Sequence, residues 1–540
     1  LAESAKSLAI IIASKLITRY WVEPKSGKAH YSEMSSTRLI RAATPTARWK
    51  CLGTTAKFVG MVLLIFTSSV SWVGMKTTDT ALLGRAGTEF LKAAALSDLW
   101  TSTSGVLLSG RVLATLCGQA IGAANGDSEK ARQLAGAWLQ TSLVVQAALL
   151  IPVIVLWALT KPLLLLLKVD ASVANNAGIY AGILALAIPA RTLFGQLRQF
   201  FQAQKLLWPE AFMSGIAVLF NLLLGYVMVL GIPGGDGFRG FGFIACPSVT
   251  TFVECAQTFV FVLVFCYTLP HVLGPEYLPV RLPTWQAGVV TKEKVRAYVS
   301  LYAPAALSTA SDFWRFSAIG AVAAALDPID AAVFTASYRV MWMMLIAVGA
   351  LRRVVAITAA PLLGANKPTE AKRVMVVGAA CAATIIVAMA TVVFFFSRQI
   401  GSIFSDDVEV LDRFYAIRAP FAATAALMNL TVFLEVVPSA MLYTRTTLVI
   451  GLIGSWLGQV PGVLFCVFAL GHRNLVALYS GVAFGYGLTS AILLTFFCTV
   501  SFTKAAAAAA ARAVENDAKE AAEETEGNAV VVAMPTVGEE

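Results

Sequence analysis

Charged residues are scarce in this chain of 540 residues. Only 13% of them are Asp, Glu, Lys or Arg, whereas 58% are hydrophobic, and the mean hydropathy is +0.74. A typical soluble domain has about 25% charged residues. A soluble protein this apolar could not cover its surface, so the composition excludes a set of soluble domains and indicates many membrane spans.

Histidine and paired cysteines are also lacking. The chain has three histidines, none with a neighbour at ligand spacing, and eight cysteines with no CxxC motif. We therefore predict no metal site, no cofactor and no disulfide. A membrane enzyme is disfavoured because it needs a clustered nucleophile, base or metal. The net charge of +10 is explained by basic loops and a basic N-terminus, which favours membrane orientation over nucleic-acid binding.

Long apolar stretches recur through the chain. A helical span needs about 20 residues, and the pattern predicts an all-α integral membrane protein with about twelve transmembrane helices. The predicted spans are 57–80, 95–118, 134–158, 175–197, 207–231, 242–268, 297–324, 331–355, 374–396, 414–437, 446–469 and 475–500.

The chain repeats itself once in each half. Residues 111–136 read RVLATLCGQAIGAANGDSEKARQLAG, and residues 353–378 read RVVAITAAPLLGANKPTEAKRVMVVG. Each copy follows the second helix of a six-helix half. Since six helices keep both halves the same way up, the repeat predicts two six-helix lobes related by a parallel pseudo-twofold axis.

The segments outside the spans complete the predicted organisation. We predict a basic N-terminal segment or transit-like sequence at 1–56, an N-lobe at 57–269, a cytoplasmic linker at 270–296, a C-lobe at 297–500 and a tail at 501–540. The tail is Ala-rich and then acidic, and its first part is expected to extend the last helix. Lys and Arg are more frequent in the loops on the side of the N-terminus, among them Arg111, Arg198, Arg352 and Arg353. The positive-inside rule then places both termini in the cytoplasm.

Several motifs resemble one transporter family. TLCGQAIGA at 115–123 resembles the second-helix motif of the multidrug and toxic compound extrusion (MATE) family, in its eukaryotic branch. Four more stretches are similar to the same family in the same order: DTALLGRAG at 79–87, IPARTLFGQLRQFFQAQKLLWPE at 188–210, NLLLGYVMVLG at 221–231 and APAALSTASDFWRF at 303–316. The resemblance implies two six-helix lobes and export of organic cations or other amphipathic solutes against H⁺ or Na⁺.

The chain also departs from the family pattern. Where the eukaryotic branch has two glutamates in the seventh helix, this chain has Asp312 and Ser317. The acid or Asn that precedes Tyr226 in many members is Gly225 here. The Gly-rich turn after the tenth helix is replaced by SAMLYTRTT at 439–447.

Acids inside predicted spans are candidates for ion coupling, because intramembrane charges are costly. Asp312 is the first candidate, and the alternative is an intrahelical pair with Arg315 on the same face. Asp79, which aligns with an acid of the family, is the second, and its alternative is a pair with Lys76 or simple solvation.

Two further acids complete the candidate set. Glu435 lies one turn from the family acid of the tenth helix, so it keeps the same face. Glu254 has no family counterpart, and its alternative is a packed glutamate bonded to a neighbouring helix. Asp98 is instead expected to cap or polarise the start of the second helix.

Aromatic and amide side chains are candidates for substrate binding. The rings around Asp312 could line a site for flat or cationic solutes, and the amides match polar positions of the family, with interhelical hydrogen bonding as their alternative role. The candidates are Trp314, Phe313, Phe316, Gln119, Gln202 and Asn221.

The predicted function is a secondary active antiporter that exports small organic solutes in exchange for H⁺ or Na⁺ by alternating access. The alternatives are a flippase for lipid-linked oligosaccharides, which would need many cations for a pyrophosphate group, and a channel or membrane enzyme. We expect a monomer in the plasma or vacuolar membrane, with an organelle envelope as the other location.

Overall fold

The computed structural model of the protein describes residues 45–232, 238–268, 285 and 287–512. These residues form helices joined by short turns, and no strand occurs among them. The first 44 residues, most of the predicted linker 270–296 and residues 513–540 lie outside the described ranges.

Six principal helices make up the N-lobe. Their bounds are α1 Pro45–Ala86; α2 Thr88–Gly105, continued after a break by Leu113–Ala123; α3 Ser128–Ala158; α4 Ala171–Ala185 with Ile188–Ala203; α5 Trp208–Gly225, continued by a π-turn Tyr226–Leu230; and α6 Ala245–Val260, continued by Phe261–Thr268.

Six more principal helices make up the C-lobe. Their bounds are α7 Lys292–Ala324; α8 Pro328–Gly364; α9 Pro368–Phe395; α10 Arg418–Leu434 with Val436–Ala440; α11 Thr444–Leu452, continued by π and α turns to Ala469; and α12 Leu475–Thr499. Short helices Thr160–Leu166, Ser397–Ser402 and Val408–Ala416 lie in the connections.

The span count agrees with the prediction of about twelve. Ten helices in the described ranges are long and apolar enough to cross a membrane, and the two halves of α4, bent by 46°, add an eleventh. The remaining principal helix is α7, whose 33 residues include charged and polar side chains that reduce its apolar character.

Side-chain caps define where several helices begin. Asp127 accepts hydrogen bonds from the backbone N–H groups of Glu129 and Lys130 at the start of α3. Asp170 accepts from the N–H groups of Ser172 and Val173 at the start of α4. Such caps satisfy N–H groups that the first helical turn leaves unpaired, so they fix the helix start.

The two sequence repeats pack against each other across the lobe interface. A Cβ on Gly122 of α2 would overlap the carbonyl of Pro361 in α8, and a Cβ on Gly364 would overlap the carbonyl of Gln119. Gln119 and Pro361 occupy equivalent positions in the two repeats, as do the two glycines. The contact is therefore pseudo-symmetric, as expected for a parallel twofold. It joins the lobes at the end of the bundle where α2 and α8 finish.

The tail does not extend α12 as one continuous helix. Helix α12 ends at Thr499, and a separate helix covers 502–512. Phe502, Ala505, Ala506 and Ala509 of this tail helix are buried in a core formed with α8, α9 and α10. The prediction of a simple extension was therefore wrong, because Phe502 and the three alanines pack back onto the bundle.

Candidate functional site

Asp79 of α1 is a buried carboxylate inside the N-lobe. It is 3% exposed. The hydroxyl oxygen of Thr250 in α6 lies 3.0 and 2.9 Å from the two carboxylate oxygens, which accept its hydrogen bond. Thr250 in turn accepts a hydrogen bond of 3.0 Å from the Asn221 amide of α5. Three helices therefore meet at one acid that forms no ion pair with any described residue.

Two buried polar atoms near Asp79 have no partner among the described residues. They are the Asn221 carbonyl oxygen Oδ1 and the hydroxyl of Tyr180 in α4. An unsatisfied buried polar atom costs about 1–3 kcal/mol. Either atom would therefore be stabilised by a new hydrogen bond, such as one formed when a neighbouring acid takes up a proton. Thr250 and Tyr180 were not among the predicted site residues; a polar side chain within the apolar run of α6 was the available signal for Thr250.

The alternative pairing of Asp79 with Lys76 does not occur. Lys76 instead contacts Asp98 of α2 at 2.8 Å, with side chains that are 26% and 30% exposed. Asp98 was expected to cap or polarise the start of the second helix. It lies inside α2, which begins at Thr88, and pairs with Lys76. Asp79 therefore remains a buried N-lobe acid without an ion-pair partner among the described residues.

Asp312 of α7 has the intrahelical partner that its alternative interpretation proposed. Its carboxylate lies 3.5 Å from the Arg315 guanidinium, and it is 46% exposed whereas Arg315 is 8% exposed. Arg315 also donates to Gln459 of α11 at 3.0 Å and lies 5.1 Å from the Tyr486 ring centroid. The buried member of this pair is therefore the cation.

The three predicted substrate aromatics of α7 do not face one space. Phe316 stacks on Tyr338 with centroids 3.6 Å apart and lines a cavity of about 20 Å³, which has room for about one water molecule. Phe313 contacts Trp342, and Trp314 is exposed. Their role in substrate binding stays a prediction, because a cavity of about 20 Å³ is too small for an organic solute.

The other two predicted acids form ion pairs. Glu435 of α10 lies 3.0 Å from Arg352 of α8. Glu254 of α6 forms a forked pair with Arg191 of α4, with contacts of 2.8 to 3.0 Å. Glu254 thus bonds to a neighbouring helix, as its alternative proposed, with a charged partner. Its role in ion coupling stays a prediction.

The predicted amides all serve hydrogen bonds between structural elements. Gln119 donates to the Ala440 carbonyl across the lobes at 2.9 Å, and Gln202 donates to Glu210 at 2.6 Å. Glu210 at the start of α5 is 1% exposed and also accepts from Ser68 of α1 at 2.6 Å. Glu210 was not among the predicted site residues, although it ends the motif at 188–210 and lies inside the predicted span 207–231.

Four arginines assigned to loops from the sequence lie instead within or beside α2, α4 and α8. Arg353 interacts electrostatically with Glu210, Arg198 and Arg352, and it donates to Ser69 of α1 in the other lobe. Arg111 has Arg353, Arg198 and Arg352 as its charged neighbours, together with Glu210. These cations therefore belong to the space between the lobes, not to surface loops.

No group of three or more metal-ligating side chains occurs in the part of the chain that the structure describes. Two pseudo-symmetric helical lobes, joined at one end and containing buried ionisable side chains, define a membrane transporter. The family follows from comparison with known proteins. A MatE family model matches residues 64–227 and 304–464, so the chain belongs to the MatE family.

Relatives and solved structures agree with this assignment. The chain is 26% identical to Protein DETOXIFICATION 17 of Arabidopsis thaliana over 379 residues, which cover 67% of this chain and 71% of the relative. It is 25% identical to the uncharacterized transporter C4B3.13 of Schizosaccharomyces pombe over 456 residues, covering 81% and 77%. These relatives support a transporter and not an enzyme.

The fold matches that of solved MATE transporters. The eukaryotic MATE transporter AtDTX14 superposes with a TM-score of 0.74 at 20% identity, over 86% of this chain and 99% of that one. The Vibrio cholerae MATE transporter VcmN in its bent form gives 0.70 at 16% identity, over 84% and 97%. The two-lobe fold predicted from the repeat is confirmed.

Proposed function

We propose that the protein is a secondary active antiporter that exports small organic solutes in exchange for H⁺, with Asp79 as the coupling carboxylate. The observation that carries this proposal is a buried acid that three helices hold without a cation. Burying an isolated carboxylate charge is costly, so Asp79 favours its neutral form until a change in access lets the proton leave.

The surroundings of Asp79 can satisfy both protonation states. The ionised carboxylate accepts the Thr250 hydroxyl. The protonated acid becomes a donor, and Asn221 Oδ1 is a buried acceptor that is otherwise unused in the described structure. A site that serves both forms supports reversible proton exchange, whereas an ion pair would hold the acid in one form.

Helix α1 connects this site to the lobe interface. Asp79 lies in its second half, while Ser69 accepts a hydrogen bond from Arg353 of the C-lobe and Ile65 packs against α8. A change in the protonation of Asp79 therefore acts on a helix that touches both lobes. Rocking of 57–270 against 297–500 about the α2–α8 contact would open the opposite side.

Asp312 and Glu435 have a secondary role in this proposal. Both acids are paired with arginines of their own lobe, whereas Asp79 has no ion-pair partner among the described residues. The Asp312 side chain is 46% exposed, which suits contact with solute. Asp79, and not Asp312, is therefore the proposed coupling group.

Names of relatives support efflux of foreign compounds. The Arabidopsis relatives are named DETOXIFICATION proteins, and one structural match is titled a multidrug resistance MATE family transporter in an outward-facing conformation. We propose xenobiotics or metabolites as the solutes, a monomer as the working unit, and the plasma or vacuolar membrane with cytoplasmic termini as its setting.

Transport by purified protein in liposomes tests the coupling assignment. An inward-directed proton gradient should drive solute exchange by the wild type, Asp79→Asn should abolish it, and Asp79→Glu should keep part of it. Asp170→Asn is the matched control, because Asn caps a helix about as well as Asp and Asp170 lies outside the site. Full gradient-driven exchange by Asp79→Asn would rule out Asp79 as the coupling group.

A further inference from the structure

The space between the lobes contains more cations than anions. Two arginines there have carboxylate partners: Arg198 with Glu210 at 3.5 Å and Arg352 with Glu435 at 3.0 Å. Arg111 and Arg353 add two positive charges that no further acid balances. We call Arg111, Arg198, Arg352 and Arg353 the inter-lobe arginines.

Arg111 is the least compensated member of this set. It forms no ion pair with any residue that the structure describes, and its strongest electrostatic neighbour is Arg353, a like charge. Arg111 is nevertheless exposed to solvent, although its charged neighbours come from both lobes. The Arg111 guanidinium is therefore exposed beside charged groups of both lobes.

Arg111 and Arg353 are related by the internal repeat. Each is the first residue of its copy, at 111 and 353, and each is followed by the helical segment that forms the contact between α2 and α8. Arg111 and Arg353 are electrostatic neighbours, so one guanidinium donor from each lobe lies beside the other. Their mutual repulsion opposes close approach, and a bound anion would offset it.

The backbone beside Arg111 is also unusual for a membrane span. Helix α2 is interrupted at 109–112, between a 3₁₀ turn Val106–Leu108 and the second half Leu113–Ala123. Tyr302 of α7 holds this break by donating to the Leu107 carbonyl at 2.9 Å and accepting from the Gly110 N–H at 3.3 Å. Interrupted helices at mid-span are characteristic of solute sites in transporters.

We propose that the exported solute is an organic anion whose carboxylate, sulfate or phosphate group binds between Arg111 and Arg353. This assignment rests on the antiporter proposal above and narrows its substrate class away from the organic cations that the family resemblance implied. Guanidinium groups bind such oxyanions through paired hydrogen bonds. A cation in the same place would meet two uncompensated positive charges.

Exchange in proteoliposomes under a pH gradient separates anions from cations of similar size. Hippurate, phenyl sulfate and phenyl phosphate are the anionic probes, and phenyltrimethylammonium is the matched cation. We expect transport of at least one anion and none of the cation. Arg111→Gln and Arg353→Gln should each raise the anion KM about tenfold or more, since charge-assisted hydrogen bonds are lost, and Arg111→Lys should keep part of the affinity.

Thermal stability gives a readout that does not depend on transport. Each anion should raise the Tm of the wild type but not that of Arg111→Gln, while the free Arg111→Gln protein should melt no lower than wild type because repulsion is removed. Arg132→Gln, which breaks an exposed pair with Glu129, is the control and should leave anion affinity unchanged.

The outcomes keep the two proposals distinct. Exchange of phenyltrimethylammonium alone under a pH gradient would retain the antiporter and overturn the anion assignment. Anion-dependent stabilisation that needs Arg111, without gradient-driven exchange, would support the anion site and defeat proton coupling. Movement of a polyprenyl pyrophosphate lipid with no effect of soluble anions would overturn the soluble-anion class.

Discussion

Arg512 in the tail helix donates a hydrogen bond of 2.9 Å to Gln119 in α2 of the other lobe. Gln119 in turn donates to the Ala440 carbonyl of α10 at 2.9 Å. The tail, which follows the C-lobe in sequence, thereby reaches the N-lobe at the place where the two repeats meet. The tail helix is thus part of the closed end of the bundle.

Removing the tail helix should therefore destabilise the protein. A chain ending at residue 501 loses the buried side chain of Phe502 and the contact of Arg512 with Gln119. Loss of a buried Phe costs about 3 kcal/mol or more, so we expect a clearly lower Tm in detergent. A chain ending at residue 512 is the control; equal Tm values for both truncations would show that the tail packing contributes nothing.

The contact between α2 and α8 predicts the effect of enlarging its glycines. In Gly122→Ala or Gly364→Ala, the new methyl group overlaps a backbone carbonyl of the other lobe, and backbone cannot move aside as a flexible side chain can. We expect the lobes to separate at this end. Cysteine labelling of Asn125→Cys or Asn366→Cys should then increase, most simply measured with a membrane-impermeant maleimide on inside-out vesicles.

Gly215→Ala in α5 is the matched control, because a Cβ there meets no atom within 4 Å. Ala is also the better helix former by about 1 kcal/mol. This variant should leave labelling unchanged and should not lower the Tm. Unchanged labelling in both interface variants would mean that the repeats do not seal this end.

The sequence was sufficient for the membrane spans and the two-lobe repeat. In a chain this poor in charge, an apolar run of about 20 residues is long enough to cross the bilayer, and the turn residues Asn125 and Asn366 mark equivalent places in each half. Both adopt left-handed backbone, with φ of 51° and 55°, as matched repeats should. Asp79 was also a candidate, because an acid in an apolar run is costly.

Partners across helices could not be read from the chain. Thr250 lies 171 residues from Asp79, and no local pattern indicates such a pair. Arg352 and Arg353 lie at the end of the predicted span 331–355 and were counted with the loop after it, yet α8 continues to Gly364. The pairing of Asp312 with Arg315 was foreseen because helical spacing is local.

Gly225 shows why one family position differs here. A Cβ at Gly225 in α5 would come within 2.7 Å of a methyl carbon of Leu82 in α1. The space for an acid before Tyr226 is therefore occupied, which leaves Asp79 as the carboxylate of its cluster. Gly225→Asp should force α1 and α5 apart and lower the Tm. Gly225→Asp combined with Leu82→Ala should recover part of the loss, and failure to recover any would exclude Leu82 as the obstacle.

Glu435→Gln should strengthen anion binding if the inter-lobe arginines hold the solute. The substitution removes the carboxylate that pairs with Arg352 at 3.0 Å and leaves an additional uncompensated cation close to Arg111 and Arg353. Gln keeps a side-chain oxygen that can accept a hydrogen bond from Arg352, so the protein should remain folded. Titration of phenyl sulfate followed by Tm should show a lower Kd, and an unchanged or higher Kd would count against the anion site.

Asp312→Asn and Arg315→Met should have unequal effects on stability. Asp312 is nearly half exposed and lies 3.5 Å from Arg315, so its charge contributes about 1 kcal/mol or less. Arg315 is buried and also contacts Gln459 and Tyr486. Removing the Arg315 guanidinium leaves the buried Gln459 amide oxygen without its hydrogen-bond donor, at a cost of about 1–3 kcal/mol. The Tm should therefore fall more in Arg315→Met than in Asp312→Asn.

The same variants rank Asp312 against Asp79 in proton coupling. Asp312→Asn should keep gradient-driven exchange within a few-fold of wild type, because Asp312 is nearly half exposed and already has Arg315 as an ion-pair partner, whereas Asp79→Asn should lose exchange altogether. Both proteins are compared at equal amounts of folded protein in the liposomes, judged by Tm and by monodispersity before reconstitution. Loss of exchange in Asp312→Asn with a normal Tm would return the coupling role to α7, because a neutral side chain in the same shape removes only the exchangeable charge.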